Sequence, residues 1–281
     1  MSQQDEIRSQ QSAHWNGAGG AAWVEAQGVM DAMFSGLETA LADAVQAEKP
    51  GDILEIGCGT GAVSLAAWRA TDGKARYTGI DISRPMLARA RERAAEAGAK
   101  IDFIAADAET HAFEPGRFDM VLSRFGIMFF ADPVAAFANL RSACSDGAKL
   151  HAYAWRSPAD NPFMTLAGRT ARPFLPDLPA PNPDAPGQFG FADDTRVRTI
   201  LDEAGWTGIK IAPVDIACAI PADALDLFLT RLGPVSSRLP EMTEAKRAEL
   251  LDALRAAFAA HIEDGEIRFT AACWEITARA S

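Results

Sequence analysis

A ten-residue segment, DILEIGCGTG at 52–61, constrains the fold more than any other feature of the chain. Its first half is a short apolar run, which is typical of a buried strand, and apolar residues at helical spacing follow at 62–70. The glycines between them permit a tight turn and leave backbone amides and a helix N-terminus directed at a ligand. The segment therefore predicts a strand, a ligand-binding loop and a helix in direct succession.

The alternation of short apolar runs with helical stretches continues through the middle of the chain. Predicted strands lie at 53–56, 77–80, 101–105, 118–122 and 150–155, and predicted helices lie at 62–70, 85–97 and 133–144. Ser83 and Asp132 stand where side chains cap the second and third of these helices. Because helices join successive parallel strands, the pattern predicts an α/β fold with a Rossmann-like, mostly parallel sheet and helices on both faces.

The two ends of the chain add elements to this sheet. Helical spacing over 21–46 predicts one or two helices before the first strand, and 157–190, with eight of the 16 prolines, predicts a long irregular excursion. Beyond it we expect a helix at 194–204, a strand at 209–216, helices at 224–232 and 243–262, and a last strand at 267–278. The chain is therefore divided into N-terminal helices that form a lid (1–48) and a main domain (49–281) with insertions at 157–192 and 220–263.

Charge and composition limit the partners. Lys and Arg number 27 against 38 Asp and Glu, and the net charge of −11 disfavours nucleic acid and anionic membranes, so a small-molecule partner is expected. The four cysteines are scattered singly, which predicts reduced thiols and no metal site. The polar N-terminus and the absence of a long apolar run predict a soluble, cytoplasmic protein without membrane insertion. The sequence does not indicate an oligomeric state.

The glycine-rich segment alone has three interpretations: a loop that binds another small ligand, a dinucleotide-binding loop, and a simple turn. Gly57, Gly59 and Ala62 also satisfy a dinucleotide-binding pattern, and glycines after a strand can merely make a turn. Two acidic residues at later strand ends narrow the choice. Asp81 ends the second strand, where a carboxylate can accept hydrogen bonds from ribose hydroxyls. Asp107 follows the third strand, where it can hold an adenine amine, although helix capping or a solvated turn is the alternative for each Asp.

These motifs carry a family resemblance. With EIGCGTG at 55–61, Asp81, ADA at 106–108 and FDMVLSRFGIMFFADP at 118–133, the chain resembles the class I S-adenosylmethionine-dependent methyltransferases. Within that class it is similar to the small-molecule enzymes of the ubiquinone and menaquinone biosynthesis type, closely over about 50–156. The resemblance implies S-adenosylmethionine as the cofactor and a seven-stranded sheet with an antiparallel last strand, with extra N-terminal and C-terminal cap helices.

The resemblance also implies the residues of the cofactor site. The residues around the methionine moiety are Glu55, Gly57, Cys58, Gly59 and Gly61. In the nucleoside part, Asp81 binds the ribose, Ile82 and Met86 lie on the faces of adenine, and Asp107 with Ala108 binds its amine. Ser123 and Arg124 lie beside the transferable methyl group. Methyltransferases of nucleic-acid bases carry a proline-rich turn after the fourth strand. This chain has SRFG at 123–126 instead, so bases are not the expected acceptors.

No catalytic residue identifies itself. Methyl transfer is an in-line displacement, for which a protein mainly aligns the acceptor and excludes water. His14, next to Trp15, is one candidate that can reach a pocket, and Arg124 is a second, because a guanidinium can clamp an acceptor carboxylate or phosphate. The histidines at 111, 151 and 261 are interpreted as surface or core residues.

The acceptor can be read only as a class. The aromatic and methionine run at 125–130 favours core packing, but if some of these side chains face the crevice with Trp155, Phe163 and Met164, the acceptor is apolar or aromatic. An NAD-dependent oxidoreductase is an alternative function, disfavoured because Glu55 interrupts a strand that is usually apolar in dinucleotide folds. A non-catalytic S-adenosylmethionine-binding module is another.

Overall fold

The computed structural model describes residues 2–180, 182 and 185–281. The strands are β1 (Asp52–Ile56), β2 (Arg76–Asp81), β3 (Asp102–Ala105), β4 (Phe118–Arg124), β5 (Cys144–Trp155), β6 (Trp206–Pro221), β7 (Ile262–Glu263) and β8 (Glu266–Ala280). They form one sheet in the order β3-β2-β1-β4-β5-β8-β6, with β7 on β8. β1 to β5 are parallel, and β8 runs antiparallel to β5, β6 and β7. The predicted Rossmann-like sheet is confirmed, with the two-residue β7 as an eighth strand.

Helices surround the sheet. They are α1 (Gln3–Asn16), α2 (Ala18–Glu25), α3 (Gln27–Met33), α4 (Ser35–Glu48), α5 (Ala62–Ala70), α6 (Arg84–Glu96), α7 (Pro133–Ala143), α8 (Pro162–Ala171), α9 (Asp194–Glu203), α10 (Leu225–Arg231), α11 (Gly233–Ser236) and α12 (Glu244–Ala259), with single 3₁₀ turns at Gly126–Phe129, Ala222–Ala224 and Leu239–Glu241. The predicted caps are present, since Ser83 accepts from the amide of Met86 and Asp132 from that of Ala135.

The core lies on both faces of the central strands. All five residues of β1 are buried, as expected for a parallel strand covered by helices on both sides. Leu37, Leu41 and Val45 recur at helical spacing along α4 and are fully buried. Two charged residues of β1 are buried as well, Asp52, which pairs with Arg76, and Glu55.

The N-terminal region holds more helix than the sequence predicts. Four helices cover residues 3–48, whereas the apolar spacing predicts one or two within 21–46. α1 was missed because it buries no residue, and a helix without an apolar stripe gives no periodic signal. Its capping box, in which Ser2 and Asp5 bond each other's amides, is the one local sign of its start. The lid boundary at residue 48 coincides with the end of α4, while the lid function stays a prediction.

The C-terminal half departs most from prediction. β6 and β8 are longer than the predicted 209–216 and 267–278, and they pair continuously from Lys210 with Thr277 to Pro221 with Glu266. The predicted irregular excursion contains α8, which begins at Pro162, a residue that suits the first turn of a helix. Phe163 of α8 stacks on Phe269 of β8 with ring centroids 3.8 Å apart. The prolines at 181 and 183 of the predicted excursion lie outside the described residues.

No helix in the described part of the chain is long and apolar enough to span a membrane. The four cysteines are buried and form no disulfide. No cluster of three or more metal-ligating side chains occurs among residues 2–180, 182 and 185–281.

Candidate functional site

The glycine loop (57–61) joins β1 to α5 and lies at the carboxyl ends of the parallel strands. Gly57, Gly59 and Gly61 have φ of +66°, +53° and +82°, a region that favours glycine. Gly57 also lies against the turn after β4, where a Cβ on Gly57 would stand 2.7 Å from the Cα of Gly126. The loop is therefore built from glycine for two reasons, its backbone conformation and the close approach of a second loop.

Asp81 fixes the end of β2 to this loop. Its Oδ2 accepts a hydrogen bond from the amide of Gly59 at 2.8 Å, and its Oδ1 accepts one from the amide of Ser83 at 2.8 Å. Burial raises the pKa of the Asp81 carboxyl, while these amide bonds act in the opposite direction. Each carboxylate oxygen keeps a second acceptor position. A Cβ on Gly59 would meet Met86 Cε at 2.9 Å, so Met86 lies directly over the loop.

The loop after β3 carries the second predicted carboxylate. Asp107 Oδ1 accepts from the amide of Glu109 at 2.9 Å, and the Ala108 carbonyl accepts from Asn139 Nδ2 at 3.1 Å. Glu109 is a further residue of this loop that no motif predicts. It is buried, and its carboxylate accepts hydrogen bonds from the amides of Ala131 at 2.8 Å and Asp132 at 3.2 Å. Glu109 thus ties the loop after β3 to the turn after β4. No spacing rule marks such a residue, since its partners are distant in sequence.

Glu55 is held inside the domain. Its Oε2 accepts hydrogen bonds from Ser64 of α5 and from the Tyr77 hydroxyl at 2.9 Å. Burial raises the pKa of the Glu55 carboxyl to about 7. The carboxyl group thus has neutral donors around it and little water. Ser64 and Tyr77 are residues that sequence analysis did not single out.

Ser123 and Arg124 end β4 and differ in their surroundings. Ser123 Oγ donates to the Ile56 carbonyl at 2.9 Å and accepts from the Gly126 amide at 3.1 Å, so its hydroxyl joins β1 to the turn after β4. The guanidinium of Arg124 lies 5.7 Å from the Phe34 ring centroid. Burial lowers the pKa of Arg124, against the raising effect of nearby carboxylates. Its Nη1 is buried with no hydrogen-bond partner in the described chain.

α1 lies across this end of the sheet. The Trp15 carbonyl accepts from Ser83 Oγ at 2.7 Å, and Asn16 Nδ2 donates to the Ile82 carbonyl at 2.9 Å. Arg8 forms an ion pair with Glu109. The α1 helix therefore contacts the loops that follow β2 and β3.

His14 is also on α1, but its position differs from that of the residues that contact these loops. Its side chain is on the exposed surface of α1, and its ring stands edge-on to Trp15 with centroids 5.0 Å apart. The predicted reach of His14 into a pocket finds no support in this position. Trp15 faces inward instead and packs edge-on against Phe129, with centroids 5.4 Å apart.

The aromatic residues near β4 pack in the interior of the domain. Phe125 stacks on Trp155 at 4.7 Å, and Phe34 packs edge-on against both rings. These three side chains are buried, as the core interpretation predicts. Phe163 is buried and packs against Phe269 of β8 and Phe258 of α12.

A comparison with protein-family models decides what this arrangement belongs to. Residues 53–147, which hold β1, the glycine loop, Asp81 and Asp107, match the model described as "Methyltransferase domain". Residues 53–147 form a methyltransferase domain. This confirms the family resemblance read from the motifs, while the role of each predicted site residue stays a prediction.

Two named relatives are similar to part of the chain. Aklanonic acid methyltransferase DauC of a Streptomyces species is 33% identical over 99 residues, which are 35% of this chain and 45% of DauC. Demethylmenaquinone methyltransferase of Thermus thermophilus is 34% identical over 114 residues, which are 41% of this chain and 51% of that enzyme. The chain spans about half the length of the curated relatives it matches.

Solved structures support the methyltransferase fold over more of the chain. A putative methyltransferase from Bacillus halodurans superposes with a TM-score of 0.54 at 18% identity, covering 85% of this chain and 98% of that one. At this level of identity the similarity concerns the fold.

Proposed function

We propose that this protein transfers a methyl group from S-adenosylmethionine to a small-molecule acceptor. The observation that carries the proposal is the junction of Asp81 with the glycine loop inside a methyltransferase domain. It combines a half-buried carboxylate that has spare acceptor positions with a loop in which a Cβ on Gly57 would clash with the chain. A loop of this kind lets a ligand approach the backbone closely, and the carboxylate suits ribose hydroxyls.

The residues present fit this cofactor. Asp81 would hold the ribose, Ile82 and Met86 would flank adenine, and Asp107 with the amide of Ala108 would hold the adenine amine. Glu55 and the glycine loop would surround the methionine moiety. When bound, S-adenosylmethionine supplies a methyl group on a sulfonium, which an acceptor displaces in line.

The chain's own part in the reaction is positioning. α1 contacts the loops after β2 and β3 through Ser83, Ile82 and Glu109, so it can exclude water from this end of the sheet. Ser123 keeps the turn after β4 next to β1 through two hydrogen bonds. We assign the removal of an acceptor proton to no residue, because the candidates His14 and Arg124 have no contact that supports such a role.

We infer a small apolar or aromatic acceptor and a cytoplasmic location. The net charge of −11 disfavours polyanionic substrates, and the two named relatives have small molecules in their names, aklanonic acid and demethylmenaquinone. Four buried, unbridged thiols suit a reducing compartment.

Transfer of radiolabelled methyl groups tests the proposal. Purified protein is incubated with methyl-labelled S-adenosylmethionine and a panel of aromatic hydroxyl, carboxyl and amine compounds, and the extracted products are counted. The expected result is label in a small-molecule product. Asp81→Ala should strongly reduce this label, whereas the exposed control Asp72→Ala should not. Cofactor binding without transfer to any compound would favour the non-catalytic binding module, and binding of NAD alone would favour the oxidoreductase.

A further inference from the structure

A half-buried cation, with no hydrogen-bond or ion-pair partner among the described residues, ends strand β4. Arg124 lies against the Phe34 ring, and its Nη1 has neither solvent exposure nor a hydrogen-bond partner among the residues that the structure describes. Removing a guanidinium N–H group from water without a hydrogen-bond partner destabilises a protein. The destabilisation is smaller when an anion accepts a hydrogen bond from that group. Arg124 therefore has an unused donor beside the end of β1.

A half-buried carboxylate on α3, that of Asp31, has an unused acceptor. Asp31 Oδ2 accepts from Arg93 Nη2 at 2.7 Å and from Gln27 Nε2 at 2.6 Å, whereas Oδ1 is buried with no partner in the described residues. Arg93 also donates to the carbonyl of Thr60 at 2.8 Å. Asp31 is thereby fixed next to the glycine loop with one oxygen unused.

The two unused groups are electrostatically linked but do not satisfy each other. Asp31 is the foremost of the carboxylates that favour the charged form of Arg124, ahead of Glu38 and Glu55. Within the described residues, however, Arg124 forms no ion pair at 4.0 Å or less with any of them. A ligand that satisfies both groups carries an anion and a cation on one short segment, as the zwitterionic end of an amino acid does.

We propose that Arg124 binds the carboxylate, and Asp31 the ammonium group, of the methionine moiety of the cofactor. The inference rests on the proposed function and places Arg124 on the cofactor rather than on the acceptor. It also makes α3 part of the cofactor site, although Asp31 lies outside residues 53–147 that match the family model. The N-terminal helices then contribute a charge to cofactor binding in addition to covering the site.

Calorimetric titration of the full chain with four probes tests the assignment. The probes are S-adenosylhomocysteine, its decarboxylated form, its deaminated form, and 5′-methylthioadenosine, which lacks the amino-acid end. Arg124→Gln should weaken S-adenosylhomocysteine binding roughly 10- to 100-fold, the range for a hydrogen bond to a charged group, and change binding of the decarboxylated probe less than about twofold. Asp31→Asn should show the same selective loss against the deaminated probe.

Arg117→Gln is the matched control. Arg117 stands just before β4, at its opposite end, and also lies over an aromatic ring, with its guanidinium 4.9 Å from the Phe118 centroid. It should leave the binding of all four probes unchanged. Because Arg124→Gln removes an unpaired charge that is half-buried, the ligand-free variant should also melt no lower than the wild type.

The outcomes separate the inference from the proposed function. Equal weakening of all four probes by Arg124→Gln, or no weakening of any, would overturn the zwitterion assignment while wild-type binding of S-adenosylhomocysteine upholds the cofactor. If the wild-type protein bound none of the probes, the proposed function itself would fail. Should Arg124→Gln not fold, Asp31→Asn with the deaminated probe decides the question independently.

Discussion

The carboxylate of Asp81 accepts a 2.8 Å hydrogen bond from the backbone amide of Gly59, which joins the end of β2 to the glycine loop. A second bond, from the Ser83 amide, holds the other carboxylate oxygen. The side chain is thus oriented before any ligand arrives, and a preorganised acceptor loses less entropy on binding. One carboxylate therefore shapes the loop and offers a ligand contact.

Replacing Asp81 with Ala should weaken S-adenosylmethionine binding by about 1.5–3 kcal/mol, because hydrogen bonds to a charged group are lost. Calorimetry on the folded variant measures this. Asp102→Ala, at the exposed start of β3, is the control and should bind as the wild type does. Unchanged affinity in Asp81→Ala would refute the ribose role.

Gly57 and Gly98 share a positive φ but differ in their surroundings. A Cβ at Gly57 would stand 2.7 Å from Gly126, whereas at Gly98 nothing lies within 4 Å. Gly98→Ala should cost about 1 kcal/mol of unfolding free energy through backbone strain alone, and Gly57→Ala should cost about 3 kcal/mol or more through strain and overpacking. Urea unfolding measures both. Equal costs would show that the contact with Gly126 does not constrain the loop.

The buried Glu55 carboxyl predicts a pH-dependent stability. Its pKa is raised from an ordinary 4.5 to about 7, so the folded protein retains a proton that the unfolded chain releases. The stability contributed by this proton is complete below pH 4.5 and declines as the pH rises to about 7, by up to about 3 kcal/mol. Glu55→Gln should remove this decline.

Denaturation of ligand-free protein at several pH values between 4.5 and 8 checks this prediction. The control is Glu249→Gln, at an exposed position on α12, which should keep the wild-type profile. A wild-type decline that persists in Glu55→Gln would mean that another group titrates.

Removing α1 should separate folding from turnover. The helix buries none of its residues fully and packs through Trp15 and a few polar contacts, so deletion of residues 1–16 should lower the melting temperature by only a few degrees and leave a folded protein. Methyl transfer should fall more than about tenfold, because the loops after β2 and β3 lose the helix that covers them. Arg8→Gln, which breaks only the ion pair with Glu109, should have a smaller effect. Full turnover in the folded deletion variant would contradict the lid role.

The sequence predicts the parts of this fold that local chemistry determines. β1, its glycine loop and the helix caps at Ser83 and Asp132 depend on neighbouring residues, so their patterns are visible in the chain. α1 escapes because it packs through polar contacts, as between Arg8 and Glu109, rather than through an apolar stripe. β6 is longer than predicted because part of it alternates between exposed and half-buried residues rather than forming a continuous apolar run. Its partner β8 is longer than predicted as well.

The residues of the candidate site also differ in whether the sequence predicts them. Asp81 and Asp107 are recognisable because each closely follows a predicted strand, where a parallel sheet binds its ligands. Glu109 and Asp31 are not, because their partners at Ala131 and Arg93 come from other elements of the fold. The contact of Phe163 with Phe269 is not recognisable from the sequence for a related reason, since the two residues lie far apart along the chain. Only tertiary packing brings such pairs together.

Calorimetric titration of the purified wild-type protein with S-adenosylmethionine, S-adenosylhomocysteine and NAD tests the central claim most directly. The site described around Asp81 and the glycine loop predicts saturable heat with the first two ligands and none with NAD. Heat with NAD alone would contradict the account.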